Sequence, residues 1–358
     1  MQRFNQRIEK LSPITLSRLS QIDRLNGQWI GGANLSPQAL GRLKRSVLVT
    51  STGASTRIEG AKLSDSEVEK QMRGLSMQKV ADRDNQEVRG YYELLKAVFE
   101  SYRTIRFSEN MIKQLHADLL KYTSKDERHR GDYKHLDNRV EMKDANGKVL
   151  GVLFETTPAY LTAKEMGELI YWTKDSLENK TYHPLIVISN FVVEFLKIHP
   201  FLDGNGRLSR VLTNLLMLKA GYEYMPYASH EKLIEDNKTE YYVALRQAQT
   251  TFKTKGETLA PWVTFFLPVL HAQAEQAIEL LSGKRIDNLL SPKQLAVWNF
   301  IKSADKDTSV KEITDITKVA RPTVKQSVER LLDLKKIQRI GLGRATRYRK
   351  RITRKTWF

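Results

Sequence analysis

Apolar positions recur at helical spacing along most of the chain, and strand-like patterning is confined to two places. One runs from 149 to 157 together with the stretch before it; the other runs from Ile337 to Tyr348. Asn146-Gly147, between Val140-Glu141-Met142 and Val149-Leu150, predicts a tight hairpin, because both turn positions need positive φ. A second pair of strands would meet around Gly341-Leu342-Gly343. The segment from Leu185 to Ile198 is apolar on nearly every face, which predicts a helix buried at the centre of a domain. Pro200 should end it at His199, and Asp203-Gly204-Asn205-Gly206 favours turns over continuation. Leu208, Val211, Leu212, Leu215 and Leu216 restart a helix from Arg207, and Gly221 should close it. A turn-rich break is expected at Gly27 to Pro37, and a polar joint at Ser282-Gly283-Lys284-Arg285. The fold class read from this pattern is mainly α.

Composition narrows the picture. The 358 residues are 41% hydrophobic and 28% charged, as in a globular chain with room for two or three domains. There is no cysteine, so disulfides, thiol chemistry and Cys-ligated zinc are excluded. That fits a reducing compartment, and a cytoplasmic location is the expectation. Met1 to Arg7 has charges with no apolar run behind them, so no secretory leader is expected. The apolar segment 185–198 carries Asn190, Glu194 and Lys197 and is too short to span a bilayer, so no membrane partner is expected. The formal net charge is +18, and residues 335 to 358 hold ten Lys or Arg with no acid. A basic concentration of this kind suits a polyanionic partner, or else forms a solvated tail.

The glycine turn between the two helices holds the candidate chemistry. A helix start offers unpaired N–H donors and a positive dipole end, and glycines let a phosphate approach the backbone. Arg207 and Arg210 share one face of the first turn, where the dipole disfavours cations. Two of them there predict an anion, and a polyphosphate suits the guanidinium fork. Asp203 is a hard oxygen ligand of the sort Mg²⁺ takes beside phosphates. His199 has the side chain whose ordinary pKa suits a general base. A zinc site on His199 and Asp203 is disfavoured, since Pro200 and Gly204 break the helix and no third ligand lies nearby.

The stretch His199-Pro200-Phe201-Leu202-Asp203-Gly204-Asn205-Gly206-Arg207-Leu208-Ser209-Arg210 matches HPFxDGNGRxxR, and on it the chain resembles the Fic family of protein adenylyltransferases. The likeness takes in Leu115-His116-Ala117-Asp118, Gly131-Asp132-Tyr133-Lys134, Glu155-Thr156-Thr157-Pro158 and Tyr241-Tyr242, or about residues 110 to 250. It implies an all-helical core with a β-hairpin flap, using ATP and Mg²⁺ to place AMP on a Tyr, Ser or Thr hydroxyl of a target protein. His199 would be the base and Asp203 the metal ligand. Gly204, Asn205 and Gly206 would form the phosphate nest, and Leu208 and Ser209 would also belong to the nucleotide-binding stretch. Arg207 would meet the departing pyrophosphate and Arg210 the γ-phosphate. Val152, Leu153, Phe154 and Glu155 of the flap, with Tyr241 and Tyr242, would line the nucleotide; the tyrosine pair reads equally as helix packing. Gly206 stands where phosphorylating relatives carry Lys, which favours AMP transfer.

Ser55-Thr56-Arg57-Ile58-Glu59-Gly60 reads as a helix end, and it is similar to the family's inhibitory motif, Ser/Thr-x-x-x-Glu-Gly. The resemblance implies that Glu59 pairs with Arg210 and that Ser55 bonds nearby, holding the enzyme off, with Gly60 closing the motif. From about 290 the order of three helices and two strands resembles a winged helix-turn-helix. Thr323, Lys325, Gln326 and Arg330 would face a DNA groove, and Arg344, Arg347 and Arg349 its phosphates, unless the module docks a protein or a second copy of the chain. The expected domains are 1–108, helical with the inhibitory helix; 109–280, the core; and 290–358, the basic module. A DNA-binding regulator that uses the core as a nucleotide sensor is the competing function.

Overall fold

The computed structural model describes residues 2–8, 11–32, 37–74, 83–143, 149–281, 290–304, 306–333, 336–341, 343 and 346–351. The chain divides into two compact units: Met1–Asn34 with Lys44–Ile278, and Leu35–Leu43 with Glu279–Phe358.

The first unit is helical apart from one hairpin. Its helices are α1 (Gln2–Ile8), α2 (Pro13–Gly32), the larger part of α3 (Pro37–Ile58), α4 (Asp65–Met72), α5 (Arg83–Ser101) and α6 (Glu109–Leu119). The hairpin pairs β1 (Arg139–Lys143) with β2 (Val149–Glu155), and then follow α7 (Ala159–Glu178), α8 (Pro184–Ile198) and α9 (Asn205–Lys219). α10 (His230–Asp236), α11 (Lys238–Gln249) and α12 (Ala260–Leu281) complete the set. No helix among the described residues is long and apolar enough to cross a membrane.

α8 is the axis of this unit. From Leu185 to Ile198 every residue but Lys197 is buried, against α7, α9 and α11. Arg7 of α1 reaches two of the polar groups that α8 carries inward, Glu194 at 2.8 Å and Asn190 Oδ1 at 2.6 Å. α9 runs back beside it and packs on α5 and α6 as well. The hairpin is antiparallel, Arg139 opposite Glu155 and Val140 opposite Phe154, with two irregularities that bend it. Its Asn146-Gly147 turn and the polar joint at 282–285 lie outside the described residues.

Three boundaries differ from those the sequence predicts. α2 runs on through Gly27 to Gly32, so the expected break starts later; Trp29, 3% exposed, keeps this end packed. α3 ends at Ile58, which leaves Glu59 in the turn before Gly60 at φ 107°. α9 starts at Asn205 rather than Arg207, because Gly204 at φ 77° completes the reversal.

The second unit stacks α13 (Pro292–Ser303), α14 (Val310–Thr317) and α15 (Arg321–Asp333) with an antiparallel pair, β3 (Ile337–Ile340) and β4 (Arg347–Lys350). Ser291 and Ser309 start the first two helices through reciprocal bonds with Gln294 and Glu312. Val297, Trp298, Ile301, Ile313, Val324, Val328, Leu331, Ile337 and Tyr348 form its core.

Candidate active site

His199 is placed by a backbone conformation that few side chains adopt. It caps α8 at φ 51°, ψ 60°, its N–H bonded to the Phe195 carbonyl at 2.9 Å. A left-handed non-glycine residue costs roughly 1–2 kcal/mol, so the surroundings must hold it there. Burial pushes its imidazole down to about 4, helped by Lys134 and opposed by the Leu196 carbonyl, Glu59 and Asp203. The ring is therefore neutral at physiological pH, as a proton acceptor must be.

The loop that follows is cross-braced. Asn205 donates to the Phe201 carbonyl at 2.8 Å, and its oxygen accepts from the Phe201 N–H at 3.0 Å. His116 of α6 stacks on the Phe201 ring, centroids 3.7 Å apart. Its Nδ1 accepts from the Gly131 N–H at 2.9 Å, so Nε2 carries the proton given to the Asp203 carbonyl at 3.0 Å. Burial pushes this imidazole down to about 4 as well, in keeping with the neutral tautomer.

Both arginines of α9 meet carboxylates. Arg210, 2% exposed, gives Nε to the Ser55 hydroxyl at 2.8 Å. Its Nη2 bonds the Ser55 carbonyl at 2.9 Å and Glu59 Oε1 at 2.7 Å. Burial alone would lower the Arg210 guanidinium, yet Glu59 holds it above its ordinary value. The Glu59 carboxylate also covers Gly206: a Cβ there would come within 2.1 Å of Oε1. A carboxylate thus lies over the first turn of α9, where an anion is favoured. Arg207 pairs with Glu87 of α5 at 2.9 Å and with Asp203 at 3.1 Å.

Asp203 accepts from the Gly204 N–H at 2.6 Å and faces Arg83 at 3.1 Å. Burial would raise its carboxyl, but Arg207, the Gly204 N–H and Arg83 hold it below the ordinary value. Among the described residues no group of three or more His, Asp or Glu could hold a metal alone. A single carboxylate, partly exposed and paired with a half-exposed arginine, still fits Mg²⁺, which takes most of its ligands from phosphates and water.

The remaining predicted residues divide. Leu208 is fully buried in the core, and the Ser209 hydroxyl bonds the Gly206 carbonyl at 2.7 Å. Tyr241 is 3% exposed, packs on Tyr242, Trp262 and Phe265, and lies close enough to Arg210 for the guanidinium to act on its hydroxyl. It backs the arginine from within the core. Tyr242 is half-buried, with Glu59 close enough to act on its hydroxyl. Phe154 is 8% exposed and Glu155 is open; the side chains of Val152 and Leu153 lie outside the described residues.

In the second unit, Lys325 and Gln326 are exposed on α15, Thr323 and Arg330 half-buried. Arg349 is tied to Asp307, Arg347 Nη1 bonds the Thr346 carbonyl at 3.1 Å, and Arg344 lies outside the described residues. Sequence reasoning missed Glu87 and Arg83. Their only sequence sign is i,i+4 spacing on one helix, which most often marks a solvated pair.

A helical bundle whose central hairpin of helices presents a histidine, a glycine turn and two arginines defines the class. Residues 106–217 match the Fic/DOC family model. Among curated proteins, it is 30% identical over 144 residues to "Protein adenylyltransferase Fic" of Drosophila melanogaster, matching 37% of this chain and 28% of that protein. The Drosophila yakuba protein of the same name is 44% identical over 48 residues. The chain thus spans less than a third of the length of the curated relatives it matches. Among solved structures, a Fic family protein from Desulfovibrio desulfuricans G20 superposes with TM-score 0.60 at 24% identity, over 96% of this chain and 97% of that one. Fic-1 (residues 134–508) from C. elegans gives 0.61 at 20% identity, over 76% and 74%. The likeness to both structures is one of fold.

Proposed function

We propose that the chain is a protein adenylyltransferase moving AMP from ATP to a Tyr, Ser or Thr hydroxyl, and that Glu59 holds it off. The observation that carries this reading is the Glu59 carboxylate bonded to Arg210 and lying over Gly206. An acid in that position stands in for a phosphate at a helix start built to receive one.

With Glu59 withdrawn, Arg210 is free for the terminal phosphate and the N–H groups of α9 for the phosphates behind it. Neutral His199 takes the proton of the target hydroxyl, whose oxygen attacks the α-phosphorus as the bond to pyrophosphate breaks. Arg207 exchanges Glu87 for the charge gathering on that leaving group. Asp203 would hold Mg²⁺, which when bound neutralises phosphate charge. His116 and Asn205 keep the loop in the shape these contacts need. The flap is read as the edge on which the target's main chain aligns by strand addition.

The test compares wild type, Glu59→Gly and Glu59→Gly/His199→Ala with α-labelled ATP. Label incorporated by Glu59→Gly above wild type and lost with His199 supports the reading. Equal incorporation by wild type and Glu59→Gly would remove the brake, and none in any variant would remove the activity.

For the second unit we propose a winged helix-turn-helix that contacts DNA, on the exposure of Lys325 and Gln326 along α15. Because Arg349 and Arg339 are engaged by Asp307 and Glu329, the phosphate grip falls on fewer cations than the sequence offers. A gel shift with random duplex that weakens steeply between about 50 and 200 mM salt supports phosphate binding. Absence of a shift at the low-salt end leaves the unit to protein docking.

A further inference from the structure

Lys134 is a buried amine with no carboxylate in contact among the described residues. It is 3% exposed, and its three donors are taken by three neutral oxygens. These are Asn138 Oδ1 at 2.7 Å, Thr156 Oγ1 at 2.9 Å and the Ile198 carbonyl at 3.0 Å. Burial pushes the amine down to about 8, so the arrangement costs stability instead of adding an ion pair.

What these bonds grip is telling. The Lys134 side chain holds the Ile198 carbonyl, and its backbone N–H holds the Pro200 carbonyl at 2.8 Å. Those two carbonyls flank His199, the one residue of α8 and its loop forced into the left-handed region without being glycine. The same amine reaches Thr156 just past β2, and Thr156 closes on the Asn138 carbonyl at 2.6 Å. Asn138 in turn donates to the Phe201 carbonyl at 2.9 Å. Lys197 bonds the Glu155 carbonyl at 2.6 Å, and the Thr157 N–H bonds the Lys197 carbonyl at 3.2 Å, so the two sides meet along a seam.

We infer that Lys134 is a positioning residue: it brackets His199 from both sides, holds its strained backbone in place, and ties the base of the flap to it. The kinetic arm of this inference rests on the adenylyltransferase reading; the structural arm does not. Misplacing a base by about 1 Å can cost two orders of magnitude in rate while leaving nucleotide binding intact.

The experiment uses the full chain with Glu59→Gly as parent and self-modification by labelled ATP as the assay. Lys134→Met should lower the rate at saturating ATP by about tenfold or more, with the half-saturating ATP concentration within about threefold. Lys134→Arg, which keeps the charge and several donors, should restore part of the rate. A rate within about twofold of parent, or a half-saturating concentration rising in proportion to the loss, overturns the inference. If Lys134→Met does not fold, Thr156→Val removes one of the three oxygens. It should slow transfer without weakening ATP, and an unchanged rate overturns the inference. If the parent transfers no AMP, the adenylyltransferase reading falls and a crystal structure of Lys134→Met decides alone. His199 out of the left-handed region supports the positioning role; His199 unmoved overturns it.

Discussion

At the scale of single residues, the site is a set of charges each already answered. Arg210 has Glu59, Arg207 has Glu87, and Asp203 has Arg83. A Cβ at Gly206 would meet the Glu59 carboxylate, so any larger residue there would push Glu59 aside. On the proposed reading, an incoming triphosphate must displace at least the first of these pairs. A coupling of typical size makes Glu59→Gly about tenfold or more active than wild type, read as labelled AMP per chain. Removing the base, His199→Ala in that background, should cost about 10²–10⁴-fold. Glu59, Asp203 and the arginines are visible in the sequence, but the pairing of Arg207 with Glu87 is not. Nothing in the local pattern around 83–87 distinguishes a buried acid from a solvated one.

At the scale of elements, α8 and α9 are buried along nearly their whole length by the helices around them. α5 is brought close to α6 by Gly90, where a Cβ would stand 2.0 Å from the Leu119 carbonyl oxygen. A backbone atom cannot give way cheaply, so Gly90→Ala should destabilise by about 1–3 kcal/mol, measured by urea unfolding. Because α5 carries Glu87 and Arg83 and α6 carries His116, the same variant should loosen the loop as well as the fold. An unchanged midpoint would show that the two helices separate freely. The helix-loop-helix was legible from its apolar run, Pro200 and two glycines. The close approach at Gly90 was not, since an isolated glycine in a helix has no sequence sign of what faces it.

For the molecule as a whole, acid is the condition that tests the buried polar core. His116 and His230 are fully buried and held low by desolvation, His116 at about 4. In the unfolded chain they titrate near 6.5. Between about pH 6.5 and 4 the unfolded state therefore binds protons the folded state does not, so stability is whole above 6.5 and lost as pH falls through that window. Glu194, buried but held below its ordinary value by Arg7 and Arg3, adds a further loss at the acid end. The melting temperature should drop steadily from about pH 7 to about pH 4.5 in calorimetry, and a flat profile would contradict the neutral histidines.

The sequence by itself determined the helices, the two hairpins, the break at His199 and the groups that face a phosphate, because periodicity, Pro, Gly and charge act over a few residues. Only the tertiary structure decided which acid answers which arginine and what holds His199 in its strained turn. Glu59 and Arg210 are 151 positions apart, and Lys134 and Ile198 are 64. Contacts over such distances depend on how the helices pack, and no local pattern carries that information.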